Sequence, residues 1–129
     1  MKPQEVTYDK AFKALQLDDF SHAEAGFTEI LNRWPNNELA GNAQYWLGET
    51  YYRQKRFKEA ANEFINTYTQ YRDSVKAPDA LLKLAMSLDN INLRALACEA
   101  LATLNQDYGD APNYIKNNSE RLKEEFSCP

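Results

Sequence analysis

Apolar side chains recur at three- and four-residue steps along the chain, beginning with Tyr8, Ala11, Phe12, Ala14 and Leu15. That spacing gathers them on one stripe of an amphipathic helix. Polar breaks interrupt the pattern at Asp18-Asp19, Pro35-Asn36-Asn37, Gln54-Lys55-Arg56, Arg72-Asp73-Ser74, Asn90-Ile91-Asn92 and Gly109-Asp110-Ala111-Pro112. Seven helices are predicted, over about 5–17, 20–34, 38–54, 57–71, 76–90, 94–108 and 113–127. Asn36, Asp73 or Ser74, and Asp110 are the expected N-caps. Pro78 and Pro112 suit first-turn positions, where no donor is lost. The connections are short, so consecutive helices pack antiparallel.

A second, longer period overlies the helical one. Ala23, Ala60 and Ala97 stand 37 residues apart, as do Phe27, Phe64 and Leu101. The same step joins Ala11, Gly48 and Ala85, then Tyr8, Tyr45 and Leu82, then Trp34, Tyr71 and Tyr108. A fixed period of this size means stacked supersecondary units that bury a shared core. The reading is one domain over 1–129, with repeats at about 4–36, 37–73 and 74–110 and a capping helix at about 113–127. The small residues Ala11, Gly48 and Ala85 are placed where the first helix of a unit meets the second, with Ala23, Ala60 and Ala97 opposite. Phe27, Phe64 and Leu101 are expected to fill the gap to the next unit. Phe20 and Phe57 plug the turn; Arg94 stands there in the third unit, which should be weaker at that corner.

These positions resemble the tetratricopeptide repeat. The segment from Ala43 to Tyr52, followed by Ala60 and Phe64, carries the Leu-Gly, Tyr, Ala and Phe positions of that motif, and Pro35 matches its closing proline. The implied fold is all-α: a right-handed superhelix of three helix pairs plus a capping helix. Arg72 and Gly109 stand where the repeat usually has Pro, so the fourth and sixth helices should end less sharply. More narrowly, Trp34-Pro35-Asn36, the run from Leu39 to Glu49 and the run from Lys76 to Leu84 resemble the C-terminal domain of the YbgF/CpoB family. That family consists of periplasmic proteins associated with the Tol-Pal envelope machinery, linked to outer-membrane constriction and peptidoglycan synthesis at division. The resemblance implies a protein partner from those systems and a periplasmic location. The family's signal peptide and coiled coil do not occur in these residues, so a fragment is expected, oligomerising mainly through that coiled coil. An outer-membrane assembly lipoprotein with similar long repeats is set apart, because it has more repeats and a lipidated N-terminal Cys.

Composition narrows the chemistry. The formal charge of −4 disfavours nucleic acid, which calls for a basic stripe. No apolar run approaches the roughly 20 residues that span a bilayer. One histidine, His22, and two cysteines leave no basis for a metal site. Asp18-Asp19, Glu59/Glu63 and Glu124-Glu125 read as turn residues and solvated helix faces rather than acid–base pairs. No active site, cofactor or membrane insertion is expected; the chain is read as a non-enzyme.

Function is expected instead on the concave face, which the first helix of every unit lines. The inward candidates are Tyr8, Phe12 and Leu15, then Tyr45, Glu49 and Tyr52, then Leu82, Met86 and Asp89, with Asn42 and Arg53 as polar anchors. Tyrosine adds large contact area at low entropy cost. The alternative for each is packing between neighbouring helices, with Trp46 as core or rim. For the whole chain the alternative is a structural spacer or self-association module with an empty groove. The periplasmic resemblance also bears on Cys98 and Cys128, since disulfides persist in that compartment. The last two helices form a hairpin whose open end lies near both cysteines, so a bridge is expected; the alternative is two free thiols.

Overall fold

The computed structural model describes residues 1–129. It consists of α1 (Pro3–Gln16), α2 (Phe20–Arg33), α3 (Ala40–Arg53), α4 (Phe57–Gln70), α5 (Ala77–Asn90), α6 (Arg94–Asp107) and α7 (Asn113–Glu125), with no strand. Every expected helix is present, and the helices pack as the antiparallel pairs α1–α2, α3–α4 and α5–α6. None is long and apolar enough to cross a membrane.

The turn inside each pair is built the same way three times. Asp18, Lys55 and Asn92 adopt left-handed backbone, with φ of 58°, 61° and 63°. The next residue donates its N–H back across the turn: Asp19 to Ala14 O at 2.8 Å, Arg56 to Tyr51 O at 3.0 Å, Leu93 to Leu88 O at 2.9 Å. That bond closes the first helix in a Schellman arrangement, and the donating residue then opens the second helix. Left-handed backbone suits Asn and Asp better than Lys. Lys55→Asn should therefore stabilise the fold by about 0.5 kcal/mol. A lower urea midpoint for the variant would contradict this reading of the turn.

The connections between pairs are longer and also periodic. Trp34, Tyr71 and Tyr108 end α2, α4 and α6 with φ of −133°, −131° and −130°. The missing prolines at Arg72 and Gly109 thus do not blur the helix ends, because the conformation is set one residue earlier. The Tyr71 hydroxyl donates to Pro35 O at 2.9 Å and the Tyr108 hydroxyl to Arg72 O at 2.8 Å. Each phenol ties its loop to the loop of the preceding unit. The expected N-caps are not formed. Leu39, Lys76 and Pro112 precede α3, α5 and α7, and none supplies a side-chain cap. The loop polar groups act earlier: Asn37 Oδ1 accepts from Leu39 N–H at 2.9 Å and Ser74 Oγ from Lys76 N–H at 3.1 Å. They satisfy backbone ahead of the helix rather than inside its first turn.

Ala23, Ala60, Ala97, Phe27, Phe64 and Leu101 are all fully buried. Their partners differ from the expected ones. A Cβ on Gly48 would lie 2.6 Å from Cε1 of Phe64, so Phe64 fills space within its own unit. Ala11 faces Gly26, whose Cβ would lie 2.6 Å from that of Ala11. Because the Phe64 ring has no free space on that side, Gly48→Leu should destabilise by about 2 kcal/mol. Gly48→Ala should destabilise too, by less than the Leu change, because its Cβ would meet the fully buried Phe64 ring at 2.6 Å and the gain in helix propensity offsets only about 1 kcal/mol. Equal urea stability of the Leu variant and the parent would refute the assigned close approach. The Arg94 corner is held by other means than an aromatic plug. Its Nε lies 2.9 Å from Asp89 Oδ1, and its guanidinium sits 5.3 Å from the Phe126 ring centroid.

The last helix continues the 37-residue step. Ser119 and Leu122 fall at the positions of Leu82 and Ala85, so α7 is a fourth first-type helix. Leu122 is buried where the earlier units have Gly48 and Ala85 to admit a second helix. A disulfide joins Cys98 on α6 to Cys128 beyond α7, with Cα atoms 5.5 Å apart. It pins the chain end across α6.

Candidate functional site: the concave face

α1 lies beside α3, α3 beside α5 and α5 beside α7, so the first helices form one continuous wall. The candidate side chains on that wall separate into two groups. Leu15 is 1% exposed, Tyr45 7% and Leu82 8%. All three belong to the packed interior. Their positions face inward, but the neighbouring helix covers them. Tyr45 packs edge-on against Trp46 with centroids 5.0 Å apart and lies tilted against Phe64 at 5.6 Å. Burial, then the charges of Glu49 and Asp79, push its phenol far above the ordinary range, so it stays neutral.

The second group is half-buried. Tyr8 stacks on Phe12 at 6.2 Å, and Phe12 meets Trp46 edge-on at 5.0 Å. Trp46 is therefore a rim residue touching both halves of the core. Burial raises the Tyr8 phenol, against the hydrogen bonds of Trp46 and Asn42. Tyr52 packs edge-on against Phe57 at 5.1 Å. Burial, then Glu49, raises its phenol too. Tyr52, Met86 and Asp89 border a cleft of about 210 Å³ that Leu122 and Phe126 close from the α7 side.

Glu49 is the electrostatic centre of this wall. Its side chain is 10% exposed, and Oε2 receives Arg53 Nε at 3.1 Å. Oε1 has no aligned hydrogen-bond donor and is held by the charge of Lys83 Nζ at 3.2 Å. Arg53 also reaches Leu15 O at 3.4 Å, which ties α3 to α1. Sequence reasoning passed over Lys83, whose ammonium lies 4.4 Å from the Tyr52 ring centroid. It also passed over Lys76 and over the α7 contribution. One signal was available: Lys83 occupies the repeat position of Trp46, a rim residue.

Other candidate chemistry stays apart from this face. His22 is exposed, with Nδ1 2.7 Å from Asp19 Oδ2. The Asp18, Glu59 and Glu125 carboxylates are solvent-facing or locally paired, and no three metal-ligating side chains converge. The largest cavity, about 820 Å³, lies between α6 and the chain end near the disulfide and contains no catalytic grouping.

Stacked antiparallel helix pairs, with a repeat match, define the class: a tetratricopeptide-repeat protein, which is an interaction module and not an enzyme. The tetratricopeptide-repeat family model matches residues 79–111. The chain belongs to the YfiO family, described as outer membrane lipoprotein, whose model matches residues 1–88. That match runs from α1 into α5, although the sequence reading set the chain apart from such a lipoprotein. The chain is also similar to two proteins of Pseudomonas putida, each named cell division coordinator CpoB, at 46% identity over 46 residues. That match covers 36% of this chain and 17% of each relative's length.

Proposed function

We propose that this chain binds a segment of a partner protein along the concave wall of α1, α3, α5 and α7. The observation that carries the reading is the row of half-buried Tyr8, Phe12, Tyr52 and Met86, which ends in the cleft closed by α7. Large apolar groups left partly exposed beside fixed charges are the ordinary make-up of an interface centre and its rim. Likeness to the cell division coordinator CpoB supports a role in division. Together with the outer membrane lipoprotein family it supports a place in the cell envelope, here the periplasm. The partner in this reading is a component of the Tol-Pal or peptidoglycan-synthesis machinery.

The test uses Tyr52→Ala combined with Met86→Ala. Both side chains are half-buried at the groove, so folding should survive. Purified Tol-Pal and peptidoglycan-synthesis proteins are titrated one at a time against the parent and the variant. One of them should bind the parent and lose at least tenfold affinity for the variant, with helical content unchanged and the melting temperature lowered by no more than about 10 °C. Equal binding by both proteins would remove the groove from the interaction. Absence of any binding, together with concentration-dependent self-association, would favour a spacer.

A further inference from the structure

Charged side chains of both signs border the wall of first helices. Three cations flank its aromatic row. Arg53 and Lys83 share the single carboxylate of Glu49. Lys76 forms no ion pair; its ammonium lies 5.1 Å from the ring centroid of Tyr45 and 5.0 Å from that of Trp46. No carboxylate lies within ion-pair distance of the Lys76 ammonium. Asp79 accepts from the Tyr114 hydroxyl at 3.1 Å, and Asp89 pairs with Arg94 at 2.9 Å. The two rings hold the Lys76 ammonium in place without neutralising it. Lys76 also immediately precedes α5, whose amino end adds positive potential.

From this arrangement we infer that the Lys76 ammonium, set over Tyr45 and Trp46, receives the side-chain carboxylate of an Asp or Glu in the partner segment. The inference rests on the groove reading above. A side chain is favoured over a chain terminus because the wall continues on both sides, through Tyr8 and Phe12 in one direction and Tyr114 in the other. Along α5, Lys76 and Met86 are ten positions apart, about 15 Å at helical rise. An extended chain covers that distance in about five residues. The recognised segment is therefore acidic at one point and apolar about five residues away, where it enters the Tyr52–Met86 cleft.

The experiment is selection of dodecapeptides displayed on phage through their C-termini, so that no free carboxyl end is presented, against the immobilised domain. Selected peptides should be enriched in Asp and Glu, and Tyr52→Ala should abolish their capture. Lys76→Gln should weaken a selected peptide about tenfold, Lys76→Arg should restore most of the loss, and Lys58→Gln on exposed α4 should change nothing. Peptides that need Tyr52 but lack acidic enrichment, or ignore Lys76→Gln, would overturn the carboxylate site and leave the groove reading standing. Binders recovered only from a library with free C-termini would overturn it in favour of a terminal carboxylate. Capture indifferent to Tyr52→Ala would sink the groove reading and this inference with it.

Discussion

Replacing both Cys98 and Cys128 with Ser is expected to lower the unfolding free energy by about 3–4 kcal/mol. The bridge closes a loop over a sequence separation of 30, and the chain-entropy model assigns roughly that value to a loop of this size. The effect should also be local. α7 is anchored by Ile115, Leu122 and Phe126 on one side and by the bridge at its end. In hydrogen exchange, protection across α7 should fall first, while α3 and α4 keep theirs. The Tyr52–Met86 cleft should loosen with α7, because Leu122 and Phe126 form its far side. A urea titration that returns the parent stability would sink this account, as would a uniform loss of protection along the chain.

The second large effect separates two tyrosines that the repeat treats alike. Tyr45→Ala should cost about 3–4 kcal/mol, in the range found for large aromatic deletions from a core. Its ring is 7% exposed and wedged between Trp46 and Phe64. It also underlies the Lys76 ammonium, so removing it unseats that cation. Tyr52→Ala should cost about 1 kcal/mol, because that ring is half-buried and mainly meets Phe57. Chemical denaturation of the two variants side by side decides the matter. Similar losses would mean that the division of the wall into core and open surface is wrong.

Repeat position fixes the side of the helix on which a residue lies, and no more. Equivalence to Tyr8 and Leu82 places Tyr45 on the inward side of its helix, and that much is correct. It does not say whether the next helix covers the side chain. Cover depends on Lys76 reaching over from the start of α5 and on Phe64 rising from α4, and both are contacts between distant residues. Tyr52 sits one turn of α3 beyond Glu49 and ends up open on one side, because Leu122 and Phe126 stand back across a cleft. The same reasoning explains Glu49. Its inward position was legible, but its double pairing with Arg53 and Lys83 joins two helices and required the packed structure.

By itself the sequence determined the seven helices and their antiparallel pairing. These follow from short-range apolar spacing and from a step that copies the same small and large residues three times. The cysteine pairing was also within its reach, through the resemblance to a periplasmic family taken together with the length of one hairpin. The tertiary structure alone decided which inward side chains are core, where Phe64 points, and how Arg94 replaces an aromatic plug by holding Asp89 and Phe126. It also decided that one groove lysine stands without a counter-charge. The physical reason is range. Helical periodicity acts within a few residues of the same chain segment. Burial and charge pairing depend on side chains some 30 or 40 residues apart, whose reach no local pattern encodes.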